Sequence, residues 1–499
     1  MKLTLLSLAL LLMPLSDLHA SEKKTTKPNI LFIVVDDLRP EMGCYGNTIV
    51  KTPNLDRLAK RGMVFKHAYC QQAVCSPSRS SLLTGKRPDA TKVWDLQTHF
   101  RDALPDAITL SQFFRLNGYY CLAFGKVFHR GYEDGRSWSE PHWYPNGQTV
   151  DTDPADSKKR IVKKYGPGVQ VYSTGKTKEE GSKKPGPAYE ISPKSDDEHP
   201  DGFTAKEAVR RLRELKTKKE PFFMAVGFYK PHLPFVAPKK YWDMYDREQI
   251  PVPKIDHLPK NAPTFAGHNN GELHNYQGVP KGNPIPVEFG KTLRHGYYAC
   301  VSYTDAQIGR LLDALAAEGL DENTIIVIWG DHGWQLGDFG LWGKHTNFEL
   351  AARAPLIISL PQQKTAGKTC DSMVEFVDVY PTLVDVCGLP IPKGLDGVSL
   401  KPLLENPAAK VKDVAISQYP RAAGKTGSGA VMGYSIRDER WRLTLWRNRK
   451  TGAIAATELY DEKNDPNETV NVAERPEHRA VIEALSKHLP PMAGSALKK

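Results

Sequence analysis

The stretch Asn29-Ile-Leu-Phe-Ile-Val-Val35, closed by Asp36-Asp37, decides the fold. A short unbroken apolar run that stops abruptly at two carboxylates predicts a strand buried on both faces of a parallel sheet, with ligand-binding groups at its C-terminal end. The same grammar returns at Thr324-Ile-Ile-Val-Ile-Trp329, followed by Gly330-Asp331-His332, and at Phe222-Phe-Met-Ala-Val-Gly-Phe228, followed by Tyr229-Lys230-Pro231-His232. Three strands thus deliver polar residues to one sheet edge. Helical patterns lie between them: Thr52-Pro53-Asn54-Leu55 opens with a cap-like Thr and an early Pro, Ala205 to Leu215 is amphipathic, and Tyr297 to Glu318 has helical spacing. The alternation predicts an α/β fold, a large sandwich domain with a central, mostly parallel sheet flanked by helices.

Outward from that centre the pattern changes. Residues 151–200 are rich in Lys, Gly, Pro, Asp and Ser with little periodicity and read as a long surface insertion. Beyond a Pro- and Gly-rich stretch near Gly388 to Gly397, the segments Val414 to Gln418, Gly433 to Arg437 and Trp441 to Trp446 read as strands of a small antiparallel sheet. The expected organisation is a main catalytic domain over residues 21–409 and a smaller C-terminal α+β subdomain over 410–499.

Residues 1–20 read as a signal peptide, with Lys2 as the positive end, Leu3 to Leu15 as the apolar core and Leu18-His19-Ala20 as the cleavage site. Export to a periplasm or beyond, with cleavage near Ala20, is the expectation. The apolar run is shorter than the ~20 residues of a spanning helix and no second run exists, so no membrane span is expected.

Lys and Arg total 68 against 57 Asp and Glu, a formal net charge of +11, which favours acidic partners. Nucleic acid is not favoured, because zinc-finger spacing, a helix-turn-helix pattern and RNP-like aromatics are all missing. A sulfated glycan fits the charge equally well. The lysine runs at Lys158 to Lys164 and Lys176 to Lys184 read as solvated surface. Seven cysteines, at 44, 70, 75, 121, 300, 370 and 387, form no CxxC pair, and their odd number leaves at least one unpaired. Cys75, inside a polar, arginine-flanked motif, is the one to explain.

That motif is Cys75-Ser76-Pro77-Ser78-Arg79, continued by Leu83-Thr84-Gly85-Lys86. It resembles the C-x-P-S-R and L-T-G signature of the formylglycine-dependent sulfatase family, within the alkaline-phosphatase-like superfamily, although Lys86 stands where the family usually has Arg. The resemblance runs through most of the chain and is nearest to the iduronate-2-sulfatase branch. It is carried by Val35-Asp-Asp-Leu-Arg-Pro40, Gly43-Cys-Tyr-Gly46, Gln71-Gln-Ala-Val-Cys75, Gly125-Lys-Val-Phe-His129, Lys230-Pro-His-Leu-Pro-Phe235, Gly330-Asp-His-Gly-Trp334, Lys344 with Asn347-Phe348, Ser417-Gln-Tyr-Pro-Arg421 and Met432-Gly-Tyr-Ser-Ile-Arg437.

The chemistry explains why such residues converge. Cleaving a sulfate ester puts a nucleophile on sulfur while negative charge spreads over the non-bridging oxygens and builds on the leaving oxygen, so a cation, fixed positive groups and an acid are all needed. Asp36, Asp37 and Asp331 supply hard oxygen donors at strand ends, which suits Ca²⁺ better than zinc. His332 stands where many sulfatases have Asn and matches the iduronate-2-sulfatase pattern, so it joins Cys75 in the expected metal set.

The resemblance further implies that a maturation enzyme converts Cys75 to formylglycine, whose hydrate attacks sulfur, after which the hemiacetal collapses and expels sulfate. Arg79 holds the diol, Lys126 and Lys344 neutralise sulfate oxygens, His232 is the leaving-group acid and His129 the base. His67, His99 and His345 read as ordinary histidines. For the saccharide, Gln97 and Trp334 occupy positions that the iduronate-2-sulfatase pattern places near the sugar, and Arg421 or Lys425 meets a uronate carboxylate.

The substrate expected is therefore a sulfated oligo- or polysaccharide, with a 2-O-sulfated uronic acid of a glycosaminoglycan or algal polysaccharide favoured. The alternatives are a phosphomonoesterase or phosphodiesterase of the same superfamily, and an unmatured, non-catalytic glycan-binding protein. On oligomeric state the sequence is silent.

Overall fold

The computed structural model describes residues 27–153, 156–164, 186–421 and 430–489. Its main sheet has ten strands. In chain order they are β1 (Asn29–Val35), β2 (Met63–Tyr69), β3 (Tyr120–Gly125), β4 (His142–Trp143), β5 (Gln148–Asp153), β6 (Asp156–Lys164), β7 (Phe222–Phe228), β8 (Thr324–Gly330), β9 (Leu356–Ser359) and β10 (Thr369–Glu375). Across the sheet the order is β10-β2-β9-β8-β1-β7-β3-β4-β5-β6. The strands from β8 through β4 run parallel, and β9 enters antiparallel between β8 and β2.

The apolar run of β1 is buried on both faces, as its composition requires. Leu31, Ile33 and Val35 pack on one side with Leu293, Tyr297 and Leu311 from the helix Val287–Ala317 and with Ala205 and Leu212 from the helix Pro200–Leu215. Ile30, Phe32 and Val34 pack on the other with Leu82 and Leu83 from the helix Cys75–Thr84 and with Leu383 from the helix Val379–Val386. Each such fully buried aliphatic or aromatic side chain contributes about 1.5–3 kcal/mol of transfer free energy, so β1 anchors both layers.

A second sheet of four antiparallel strands follows, β11 (Ala415–Arg421), β12 (Val431–Arg437), β13 (Trp441–Asn448) and β14 (Ile454–Asp461). Its apolar face carries Ile436, Leu443 and Leu459 against Leu485 of the helix Arg479–Ser486.

Two local expectations change. The helix expected from Tyr297 starts at Val287, with Pro286 at its N-cap and its buried face beginning at Gly290, Thr292 and Leu293. Within residues 151–200, read as an insertion of little periodicity, the described part holds β6, an edge strand paired to β5, and the strand Tyr189–Ser192, which pairs in parallel with Phe235–Pro238. Backbone hydrogen bonding there overrides a composition that gives no alternating signal. Every cysteine is free, and Cys75 is one of several that are buried. The signal-peptide segment and the lysine run at 176–184 lie outside the described residues, and among those described no helix is long and apolar enough to cross a membrane.

Candidate active site

Parallel strands end level with one another at one edge. In register, Val35 of β1 sits beside Phe228 of β7 and Gly330 of β8, and Gly125 of β3 beside Gly227. The next residues are Asp36, Tyr229, Asp331 and Lys126, so level strand ends place polar groups together. The approach is close: a Cβ on Gly227 would lie 2.1 Å from the Lys126 carbonyl, and one on Gly125, which has φ +69°, would lie 2.1 Å from the Gly227 carbonyl oxygen. Only glycine allows that crossing.

The helix Cys75–Thr84, buried along its whole length, brings its N-terminus to this edge and adds the partial positive charge of its free N–H groups. Cys75 Sγ lies 3.2 Å from Asp36 Oδ1, 3.4 Å from His332 Nε2 and 3.7 Å from Lys126 Nζ. Arg79, one turn on, donates to Asp331 Oδ2 at 2.9 Å, to Asp36 Oδ1 at 3.1 Å and to the Val127 carbonyl at 3.0 Å, and it also reaches the Lys126 carbonyl. Lys126 Nζ pairs with Asp36 Oδ2. Lys344 arrives from the turn after Trp342–Gly343 and grips both oxygens of Asp37 at 2.9 and 3.1 Å. Asp37 has a left-handed backbone at φ 57°, and its N–H donates to Asp331 Oδ1 at 3.0 Å. The strained conformation turns two successive carboxylates into one pocket.

Oxygens of Asp36 and Asp37, Nε2 of His332 and Sγ of Cys75 all lie within 4.8 Å of one another and could share one cation. Asp331 borders this group, 3.5 Å from His332 Nε2, with its oxygens engaged by Arg79 and the Asp37 N–H. Formal charges give four carboxylates (Asp36, Asp37, Asp331, Glu272) against three cations (Arg79, Lys126, Lys344), a surplus of one negative charge.

Burial opposes ionisation of Asp36, yet Lys126 and Arg79 hold its carboxyl well below the usual range. Burial, reinforced by Asp36, Glu272 and Asp331, outweighs Lys344 and pushes Asp37 well up, while burial moves Asp331 up to about 6 against the pull of Arg79. Carboxylates left short of positive charge in a dry pocket are the signature of a cation site, and this oxygen-rich donor set fits a hard divalent ion such as Ca²⁺. Burial, then Asp36, pushes the Cys75 thiol well up, so the unmodified sulfur is protonated and a poor nucleophile.

The histidines differ in their surroundings. His129 Nδ1 is buried without a hydrogen-bond partner among the described residues, and burial, then Lys126, lowers its pKa to about 3. His232 Nδ1 donates to the Leu233 carbonyl at 2.6 Å, and its Nε2 faces Glu272 Oε1 at 3.2 Å and Asp37 Oδ2 at 3.9 Å. Burial, then Lys344, lowers its pKa to about 3. His332 is likewise held neutral, by burial and then Lys344.

Of the residues expected around the sugar, Trp334 is fully buried beneath the site, with Lys344 Nζ 4.9 Å above its ring. Gln97 is exposed on the segment after Trp94. Arg421 donates to the carbonyls of Phe265, Ala266 and His345 at 2.6, 2.8 and 2.6 Å, so its guanidinium ties a loop to the small sheet instead of standing free for a carboxylate. Lys425 lies outside the described residues.

Two groups went unnoticed in the sequence. Glu272, on the short helix Gly271–His274, lies 3.5 Å from Lys344 Nζ as well as beside His232. His345, read as ordinary, contacts Glu272 at 3.4 Å and the Tyr419 hydroxyl at 2.9 Å. The polar cluster His268-Asn-Asn-Gly-Glu272 in a proline-rich loop is a faint signal, and no periodicity marks it.

Residues 28–389 match the family described as Sulfatase, and residues 337–494 match one described as N-sulphoglucosamine sulphohydrolase, C-terminal. The iduronate 2-sulfatase of Mus musculus is 32% identical, over 92% of this chain and 93% of its own. A solved structure in complex with its substrate D-glucosamine-2-N,6-O-disulfate has a TM-score of 0.70 at 22% identity, covering 93% of this chain and 96% of its own. The phosphonate monoester hydrolase of Agrobacterium radiobacter has a TM-score of 0.68 at 24% identity, covering 92% of this chain and 94% of its own. At those identities the two structures speak for the fold alone.

Proposed function

Because the chain belongs to the sulfatase family and is a sulfuric ester hydrolase of the formylglycine-dependent type, we propose that it hydrolyses sulfate esters of a sulfated saccharide, with a 2-O-sulfated uronic acid as the favoured sugar. We further propose that it does so after export, with Cys75 converted to formylglycine and Ca²⁺ as its metal. The observation that carries this reading is the buried meeting of Cys75, Arg79, Lys126 and Lys344 with the carboxylates of Asp36, Asp37 and Asp331 at one sheet edge.

Asp36, Asp37, Asp331 and His332, with position 75, would hold the cation, which when bound supplies charge stabilisation for the sulfate oxygens and acidifies the nucleophile. The rest falls to the chain. Arg79, locked by Asp331, Asp36 and two carbonyls, fixes the orientation of position 75 and keeps it electropositive. Lys126, paired with Asp36, and Lys344, paired with Asp37, take up negative charge developing on the sulfate.

His129, neutral and with Nδ1 unpartnered, accepts a proton from position 75 when sulfate departs. His232 keeps its Nδ1 proton on the Leu233 carbonyl, so its Nε2 lone pair faces Glu272, whose carboxyl is held well below its usual range by Lys344 against burial; a proton taken up at Nε2 on substrate binding is the one delivered to the leaving oxygen. An arriving sulfate monoanion raises the proton affinity of both groups, which arms the acid only when substrate is seated.

A defined panel of sulfated oligosaccharides, with sulfate release as readout and aryl phosphate alongside, tests the reading. Release from a 2-O-sulfated uronic acid is expected; release only from other positions would overturn the sugar assignment, and preference for the phosphate would overturn the ester class. A superfamily phosphatase is the rival, and the cysteine at position 75 weighs against it.

A further inference from the structure

A cleft of about 570 Å³ lies away from the reaction centre and shares no residue with it. One wall is the segment Arg87 to Trp94, just past the C-terminus of the helix Cys75–Thr84; the other is the face of the small sheet that carries Gln418, Met432, Tyr434 and Arg447. At about 1.5 Å per residue, that ten-residue helix sets Arg87 roughly 15 Å from Cys75. β11 links the two places by its alternation. Tyr419 turns its hydroxyl to His345 at the reaction centre, and its neighbour Gln418 turns to Asp89 in the cleft.

The cleft is built rather than incidental. Asp89 gathers its framework, accepting from Tyr434 at 2.7 Å, from Gln418 at 3.0 Å and from the Trp94 indole at 3.2 Å. Around that framework stand cations held by ring faces. The Arg449 guanidinium lies 4.3 Å and Lys92 Nζ 5.5 Å from the Trp94 ring centroid, and Arg447 lies 5.8 Å from that of Tyr434. Ring faces position a cation without cancelling its charge. Among the described residues none of these three cations has an ion pair, whereas Arg87 in the same wall is neutralised by Glu375 at 2.7 Å. Positioned but uncompensated guanidinium groups are the usual receptor for the paired oxygens of sulfate or carboxylate.

From these observations we propose that Lys92, Arg447 and Arg449 form a second anion-binding site that holds a sulfate or carboxylate group of the same saccharide chain, several sugar units from the ester being cleaved. The inference rests on the saccharide reading above. The segment after Trp94 supports the connection: it carries exposed Gln97 and reaches His99, whose ring contacts Tyr132 at 6.4 Å, and Tyr132 stacks on catalytic-candidate His129 at 6.1 Å.

The test compares a sulfated polysaccharide of heparin type with a small aryl sulfate on the full-length R447A/R449A protein, with K92A as a second variant. Loss of two charge-assisted contacts is expected to weaken polymer binding, and to raise KM for the polymer, by roughly tenfold. kcat, and both constants for the aryl sulfate, should stay unchanged. Polymer binding that is unaffected in both variants overturns the site. So does a parallel loss on the aryl sulfate, or single-stranded DNA of matched charge binding as tightly as the polysaccharide. Binding is also measured on C75A protein, which turns nothing over, so failure of the proposed reaction on every saccharide is distinguishable from failure of the cleft.

Discussion

The reaction centre and the junction between the two sheets are both buried clusters of ions, yet they are balanced differently. At the junction, Arg442 is 1% exposed and meets Glu462 at 3.1 Å and Glu468 at 2.9 Å as well as Glu349. Arg437 and Arg353 lie nearby, so three glutamates face three arginines. At the reaction centre four carboxylates face three cations, and the surplus is negative. A closed account at the junction makes a clamp, and an open one makes a place for a divalent ion and an anionic ester. Burial of charge alone marks neither role; the stoichiometry does.

The two clusters can be broken separately. Cys75→Ala is expected to lower sulfate release by on the order of 10³-fold or more while leaving the melting temperature in metal-free buffer nearly unchanged, since a single side-chain atom is removed and Asp36 keeps its pairs with Arg79 and Lys126. A variant that keeps turnover would sink the assigned nucleophile. Arg442→Ala should do the reverse and cost about 3–5 kcal/mol in denaturant unfolding, because it strands buried glutamates, with the specific activity of the folded fraction retained. Chelation tests the surplus: removing the ion should depress activity, and restoring Ca²⁺ at about 100 times its Kd should stabilise the protein by about 2.7 kcal/mol. An R442A protein should respond to Ca²⁺ by the same increment if the clusters are independent.

The smallest effect comes from a buried group outside both. His142 lies 2.7 Å from the Gly125 carbonyl, and burial lowers its pKa from 6.5 to about 4. Below pH 6.5 the unfolded chain therefore binds more protons than the folded one, so this stability is full above pH 6.5 and drains as pH falls towards about 4. His142→Gln should narrow the gap in melting temperature between about pH 7 and about pH 5 by about 1–3 °C.

The parts of this design that were legible in sequence share one property: a local pattern sufficed. The buried runs of β1, β7 and β8 announce themselves by uninterrupted apolar residues, and their polar endings by contrast. β2 and β9 do not: Lys66 and His67 interrupt the apolar run of Met63–Tyr69, and the four residues of Leu356–Ser359 lack the length to separate them from a buried helix turn. β14 was missed for a related reason, its exposed start at Ile454 and Ala455 diluting any alternation. Glu272 is a matter of distance rather than pattern, since it reaches the site only because its loop folds back over Lys344 and His232. Arg421 shows the converse: its charge and neighbourhood suggested a ligand, and unpaired loop carbonyls claimed it.

Cys75 is only 2% exposed. No second protein can grasp a side chain at that depth, so the proposed conversion to an aldehyde belongs to an interval before the chain has closed. That interval is bounded by chain elongation, because Lys344 and the Arg442 clamp arrive hundreds of residues after Cys75 has been synthesised. The order of residues along the polymer thus acts as a clock, holding the motif accessible until the late segments seal it.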